Sequence, residues 1–260
     1  MANARKQYLR QLWKRWGLLG AWHPDSPISV GDVGVMDNWR FERKRSLKDL
    51  SVDFELAEAP DTVGTHSYHS DAEIAISAHV SGSAEPAGTG EVELTFGKSG
   101  GIAFHAAGTV EVRMNDIGTI EDQIWELHEA GDWEEGRVVV TKVIKAESLA
   151  VFVAAKGEAS ATVTASAADI EIPDFTNLAG LASNFSIKSH KGMETAIVAQ
   201  GDLTPLFEAI CMDRKGILRH RRIAAATPRG RLLDSDLDEN AQQDLRFIQW
   251  SYDLDDNEHQ

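Results

Sequence analysis

Apolar positions recur at two different spacings along this chain. Over Ala2–Leu19, the residues Tyr8, Leu9, Leu12, Trp13, Trp16 and Leu19 return every three or four positions, with Arg5, Lys6, Arg10, Lys14 and Arg15 on the rest of the wheel. That is the period of an amphipathic helix. Gly17 and Gly20 end it, and Pro24 and Pro27 break the chain behind it. From Ser67 to Ala199 the period falls to two. Ile74, Ile76, Ala78 and Val80 alternate with Glu73, Ala75, Ser77 and His79; Val92, Leu94 and Phe96 alternate with Glu91, Glu93 and Thr95. Val110, Val112 and Met114 alternate with Glu111 and Arg113, and Ala159, Ala161, Val163 and Ala165 with Ser160, Thr162, Thr164 and Ser166. Side chains on a strand point to opposite faces in turn, so period two predicts strands.

The remaining elements are read from breaks in these patterns. Ile28–Val35 and the neighbourhood of Trp39–Phe41 predict two short strands, with Met36-Asp37-Asn38 turning between them. Leu47, Leu50 and Val52 begin another short element. Ile102 and Phe104 follow a turn at Gly97–Gly101. Ile120, Ile124 and Leu127 predict a helix over Ile120–Ala130, closed by Gly131. Arg137–Ala155 is a long β-branched run, and Gly157-Glu158 turns it into the strand that starts at Ala159. Phe185–Lys191 and Met193–Val198 predict a hairpin through Gly192. Leu203–Met212 fits either helix or strand, and the tail is expected to be helical around Ala241–Trp250. The expected fold is α+β, a central twisted, mostly antiparallel sheet with a few helices. Three regions follow: residues 1–218 as the folded domain, 219–231 as a basic linker, and 232–260 as an acidic C-terminal segment.

Charge divides along the same lines. The net charge is −15, yet residues 1–48 hold ten Lys or Arg against four Asp or Glu, and the rest of the chain carries −21. A basic head on an acidic body points to an anionic partner for the head, or to pairing with the acidic tail. An acidic body keeping itself soluble explains the same numbers. With one cysteine, Cys211, the chain has no internal disulfide. Lys14 and Arg15 interrupt the apolar run at the N-terminus, so no secretory signal is expected, and no stretch reaches the roughly 18 apolar residues of a spanning helix. The expected location is the cytoplasm, with entry into a membrane, if any, by another route.

Motifs that carry chemistry do not survive inspection. Gly97-Lys98-Ser99 lacks the glycine that a phosphate loop needs five positions earlier, where Val92 stands. On an extended chain His69 and Asp71 share a face while His66 points away, which speaks against a metal site. His128 sits where a helix C-terminus favours it. Cys211 lies in an apolar run and reads as a buried, inert thiol. No catalytic, metal-binding or cofactor-binding residues are assigned; neither an enzyme nor a nucleic-acid partner is expected.

The tail is more informative. Arg219–Ile223 and Thr227–Arg231 form a basic, turn-rich stretch ahead of acidic residues interleaved with Leu237, Leu245, Phe247, Ile248, Trp250 and Leu254. A disordered acidic tail lacks such large apolar residues, so this one is built to dock. At the other end, Trp13 and Trp16 beside Arg5, Lys6, Arg10, Lys14 and Arg15 form a candidate contact for anionic lipid, though tryptophans packed on the sheet account for the same pattern. Small and polar residues alternate in the strands, Ala159–Ser166 above all. That suits a half-exposed sheet, and equally strands that later show one face to lipid and one to water.

The order of these elements resembles the gasdermin pore-forming domain. A basic amphipathic helix (Arg5–Leu19) comes first, then a Pro-broken strand pair, then Phe41 leading to Leu47-Lys48-Asp49-Leu50. Alternating hairpins with a helix between them (Ile120–Ala130) follow, then Val138–Ile144 running on to Leu149–Val153, and finally Thr195–Val198. The resemblance covers roughly residues 5–212 and lies in order and pattern. It implies a pore-forming effector in cell-death or antiviral defence, kept inactive by its C-terminal segment. Leu237, Leu245, Phe247, Ile248 and Trp250 would hold that segment down. A trypsin-like or caspase-like protease would cut after Arg222, Arg229 or Arg231. The released body would bind anionic lipid, self-assemble and enter the inner membrane. Bacterial members often carry a lipidated cysteine near the N-terminus, which this chain lacks. The alternative is a soluble α+β binding or scaffold module whose tail docks a protein partner through Phe247 and Trp250.

Overall fold

The structure, a computed structural model, describes residues 2–22, 27–37, 40–57, 63–70, 74–81, 89–134, 136–166, 186–214 and 245–249. Helix α1 (Ala2–Trp16) stops where Gly17, at φ +68°, turns its N–H back to the Trp13 carbonyl. The two-residue strand β1 (Leu19–Gly20) follows, then β2 (Asp32–Asp37), β3 (Arg40–Ser46) and a single 3-10 turn at Lys48–Leu50. Next come β4 (Gly64–His69), β5 (Ile74–Ser81), β6 (Thr89–Phe96) and β7 (Ile102–Arg113). Helix α2 (Ile117–Glu129) leads to β8 (Val138–Ala154), β9 (Ala159–Ser166), β10 (Ser186–Lys191), β11 (Met193–Arg214) and β12 (Leu245–Gln249). The fold is α+β, and β2 with β3 and β8, β4 with β7, β5 with β6, β6 with β9, β9 with β10 and β11 with β12 all pair antiparallel.

Local chemistry explains where the boundaries moved. The helix expected from Ile120 begins three residues earlier because Asp116 caps it: its carboxylate accepts from the Thr119 N–H and, at 2.7 Å, from the Thr119 hydroxyl. The strand expected at Ile28–Val35 starts at Asp32, after a turn in which Asp32 receives the Ser29 N–H and Gly31 takes φ +86°. Between the helix and strand readings of Leu203–Met212, the structure selects strand, as part of the 22-residue β11.

Two expectations are corrected. Phe185–Lys191 and Met193–Val198 do not pair as a hairpin. Only Gly192 separates β10 from β11, and a hairpin needs a loop of about two residues or more. At Gly192, φ +69°, the chain changes sheet instead: β10 pairs with β9, while β11 pairs with β1, β8 and β12. The tail expected to be helical over Ala241–Trp250 is a strand in its described part. β12 lies antiparallel on the last residues of β11, with Ile210 opposite Gln249, Cys211 opposite Ile248 and Met212 opposite Phe247. Five residues are too few for a helix to stabilise itself, and an open strand edge supplies the backbone partners that a lone turn lacks.

The chain divides into two compact units. The first comprises Met1–Pro27, Glu58–Val112 and Ile144–Leu206. In it a four-stranded sheet, β10-β9-β6-β5, lays Val92, Leu94, Phe96, Ala159, Ala161 and Val163 against Ala103, Ala150, Phe152 and Ala154. The second unit comprises Ile28–Ala57, Arg113–Val143 and Phe207–Gln260. There α2 packs Ile120 and Ile124 with Val33, Leu47, Val139, Ile210, Met212 and the ring of Trp133.

Gly34 of β2 is sterically obligatory in this second unit. A Cβ placed there would overlap the Glu42 backbone and stand 2.7 Å from the Phe41 ring. Gly34→Ala is expected to destabilise the protein by about 1–3 kcal/mol, the usual cost of overpacking, read as a lower urea midpoint with an unchanged slope.

Candidate functional site

The four-stranded sheet of the first unit is two hairpins laid side by side. β5 and β6 pair over eight residues, from Ile74 opposite Phe96 to Ser81 opposite Thr89. β6 and β9 pair over eight more, from Thr89 opposite Ser166 to Phe96 opposite Ala159. β10 pairs with β9 from Ser186 opposite Thr164 to Lys191 opposite Ser160. In this register both hairpin connections, residues 82–88 and 167–185, leave from the same end of the sheet. The opposite end is anchored by the neighbouring turns that feed β7 and β9. There the Gly100 N–H donates to the Ala154 carbonyl, the Ala154 N–H to the Gly101 carbonyl, and the Ser99 hydroxyl to the Ala155 carbonyl.

The two faces of this sheet differ sharply. Its inner face carries Ile74, Ile76, Val92, Leu94, Phe96, Ala159, Ala161 and Val163. The surface it meets is rich in small residues, Ala103 of β7 and Ala150 and Ala154 of β8, where larger aliphatic residues would bury far more surface. Phe96 of this sheet and Phe152 of β8 are both fully buried. Glu91, Glu93, Thr95, Ser160, Thr162 and Thr164 alternate with the inner residues, and Lys188 forms an ion pair with Glu91 across β9. Among the described residues, the outer edges of β5 and β10 have no strand beside them. Polar and apolar faces with two open edges are what a strand-by-strand assembly requires.

Helix α1 is seated on the first unit by its aromatic side. Tyr8, Leu9 and Leu12 are buried, and Trp13 is only 9% exposed. Trp16 stands edge-on to His66 and Tyr68 of β4 and tilted against Phe104. Tyr68 donates to Gln11. Burial pushes the Tyr8 phenol far above its ordinary range, and its hydroxyl has no hydrogen-bond partner among the described residues. Of the residues expected to meet lipid, then, Trp13 and Trp16 point inward. Lys14 and Arg15 are exposed, Arg5, Lys6 and Arg10 are half-buried, and Arg5 lies over the Trp22 ring.

The tail residues divide differently. Leu245, Phe247 and Ile248 lie within β12, on the edge of β11. Leu237, Trp250 and the expected cleavage positions Arg222, Arg229 and Arg231 lie outside the described residues. Sequence reading passed over the opposite edge of the second unit, strand β3, which carries Arg40, Arg43, Lys44 and Arg45 in seven residues. Arg43 bonds the buried Asp32 at 2.6 Å, and that hydrogen bond holds its guanidinium even more firmly protonated than usual. The run of bases was visible in the sequence; that it forms an edge strand was not.

Other chemistry-bearing groups are scattered. A cleft of about 340 Å³ in the second unit is lined by Asp53, Phe54, Glu55, Asn115, Asp116, Thr119 and Ile120. Among the described residues no three His, Cys, Asp or Glu side chains gather to hold a metal ion. His66 bonds Thr109 instead, while Asp71 lies outside the described residues. No helix among the described residues is long and apolar enough to cross a membrane, which leaves strands as a separate question.

No protein-family model matches this chain, and no curated protein matches it. Among solved structures, a chain of the gasdermin A3 membrane pore shows a weak resemblance in fold: TM-score 0.36 and 11% identity, over 81% of this chain and 90% of that one.

His66 gives the seat of α1 a pH dependence. Burial lowers its pKa from the ordinary 6.5, with Glu111 opposing. The unfolded chain therefore takes up the proton first as pH falls. The stability that the neutral ring contributes is complete above 6.5 and is lost as pH drops through the folded value. The urea midpoint is expected to fall between about pH 7.5 and about pH 5, and His66→Gln to flatten that fall.

Proposed function

We propose that this chain is a pore-forming protein whose C-terminal strand holds it inactive until the linker before it is cut. The observation that carries the proposal is the four-stranded sheet with both of its connections leaving from one end, one polar and one apolar face, and two edges that are open among the described residues. Strands enter a bilayer only as a closed barrel, because every backbone N–H and C=O must be paired there. One copy supplies four strands, so closure requires many copies joined edge to edge, β5 of one against β10 of the next. A spanning strand needs about 9–11 residues. β5, β6 and β9 have eight each, and the connections at 82–88 and 167–185 hold the chain needed to lengthen them.

Lifting the sheet is affordable because alanines, Ala103, Ala150, Ala154, Ala159 and Ala161, make up half of the buried residues where it meets its neighbours. Each alanine forfeits far less apolar burial than a leucine would, at roughly 25 cal/mol per Å². The apolar face loses its protein neighbours and gains lipid. Lys14 and Arg15, exposed on α1, then draw the body to anionic headgroups by about 1 kcal/mol each. The role works without catalysis and without a cofactor.

Tethering explains how a short strand can act as the restraint. β12 has five residues in its ladder, too little for a tight complex on its own. The thirty residues 215–244 join it to β11, and a tether of that length gives an effective concentration of roughly 1 mM. A strand with a dissociation constant of about 10 µM is then ~99% seated, and only ~10% seated when cut free at ~1 µM. Cleavage after Arg222, Arg229 or Arg231 converts the first case into the second. The seating of β12 on its own chain favours this reading over a tail that docks a separate protein.

Dye release from phosphatidylglycerol vesicles tests the proposal, with intact chain compared to chain nicked in residues 219–231. Nicked protein is expected to empty the vesicles at least about tenfold faster, tracking the loss of tail occupancy, and to spare phosphatidylcholine vesicles. Equal and negligible release by both forms on both lipids would refute the pore-forming reading.

A further inference from the structure

The eight-stranded sheet runs β1-β11-β8-β2-β3 with β12 also paired to β11, and the second unit holds β2, β3, β12, the start of β8 and the end of β11. The two margins of the sheet there are unlike. On one side β3 has no strand beyond it among the described residues. On the other, the chain's own last strand covers the edge of β11 from Ile210 to Arg214. A margin left bare in a water-soluble sheet recruits whatever strand is at hand. This fold leaves one margin open and fits the other with a strand that proteolysis can detach.

We infer that the edge of β11 under β12 is the surface on which a second copy of this chain docks, through the β3 edge of that copy. The inference rests on the pore-forming reading for its trigger, the loss of β12, but not for its geometry. Three observations select β3 as the occupant. It is the opposite margin of the same sheet, so each joined copy offers a fresh β11 edge to the next, and the contact propagates head to tail into a ring. Its seven residues are enough to cover the five that β12 vacates. Its excess of positive charge, Arg40, Arg43, Lys44 and Arg45 against Glu42 alone, disfavours pairing with another β3. The acidic body of a neighbour, at −13 over residues 49–231 once the tail has left, attracts it. Tail and neighbour therefore compete for one backbone edge, and inhibition is direct occupancy of an assembly surface.

The faces of the sheet make this testable with the native Cys211. Ile210 and Met212 point into the core of the second unit, so Cys211, between them, lies on the other face together with Phe207. Phe207 packs against Phe41, which puts Phe41 and Arg43 of β3 on that same face. Ser46 joins them through its pairing with Asp32, and Arg45, opposite Val33, lies on the core face. Within one chain β11 and β3 are three strand spacings apart, about 14 Å. A disulfide needs Cα atoms within about 7 Å, so any bond from Cys211 to β3 must join two copies.

The experiment uses the full chain with a sequence-specific protease site placed at 223–229, carrying Arg43→Cys or Ser46→Cys, oxidised after nicking. The expected result is a ladder of dimers, trimers and higher species on a non-reducing gel from at least one of these two variants. Uncut protein and the core-face variant Arg45→Cys are expected to give none. A second variant, Ile248→Cys, places a thiol opposite Cys211 and locks β12 in place under oxidation. With the lock closed, nicked protein is expected to stay monomeric, and to assemble when the bond is reduced. Disulfide dimers of nicked protein through Cys211 alone, ladders from Arg45→Cys equal to those from the other face, or assembly of the locked protein would each overturn the inference. Vesicle leakage without a ladder would overturn this surface and spare the pore; a ladder without leakage would spare the surface and overturn the pore.

Discussion

The backbone of β11 sets the constraint on which the rest depends. This strand runs for 22 residues, and each of its N–H and C=O groups needs a partner. β8 lines one side. The other side is filled in pieces: β1 near Pro205, whose carbonyl receives the Ala21 N–H, and β12 beside Ile210–Arg214. Pro205 has no N–H to offer, so its place in the ladder sits where only an acceptor is used. The final stretch of β11 belongs to a segment thirty residues away in sequence, held by a ladder too short to stand without its tether. On the proposed function, stability at that edge is conditional on an intact chain, and a covalent cut would become a structural signal there.

A second, weaker joint lies in the first unit. Ala150, Ala154, Ala159 and Ala161 keep the four-stranded sheet close to its neighbours with little buried surface per residue, while Phe96 and Phe152 fix its position. An interface of this kind is specific in shape and modest in energy. By contrast, the second unit is closed with Ile120, Ile124, Leu47, Met212 and Trp133. In the proposed function, the sheet whose two connections leave from one end is the part that rearranges, and the unit that carries the β11 edge is the fixed platform.

Much of this was legible from residues alone. The alternation of Val92, Leu94 and Phe96, and of Ala159, Ala161 and Val163, gave the central strands and their inner faces, because a period of two has one physical meaning. Gly17 and Gly131 marked helix ends through the left-handed turns they now show. What pairing partners a strand takes is a different matter. Nothing local distinguishes Ser186–Lys191 pairing backward to β9 from pairing forward to β11, and the decision falls to the single residue at Gly192. Leu245–Gln249 fits a helical turn as well as a strand, and only the vacant edge of β11 decides. Trp13 and Trp16 read equally as lipid anchors or as packing, and the seating of Trp16 follows from His66, Tyr68 and Phe104, residues far away in sequence.

The central claim is that β12 satisfies the edge of β11 only while it is tethered. Amide hydrogen exchange over Ile210–Arg214 and Leu245–Gln249, read in dilute protein before and after a cut in residues 219–231, tests it most directly. The account predicts protection of both segments in the intact chain, and loss of protection in the tail strand after the cut. Free exchange of Leu245–Gln249 in the intact chain, or protection there that survives the cut and dilution, would contradict it.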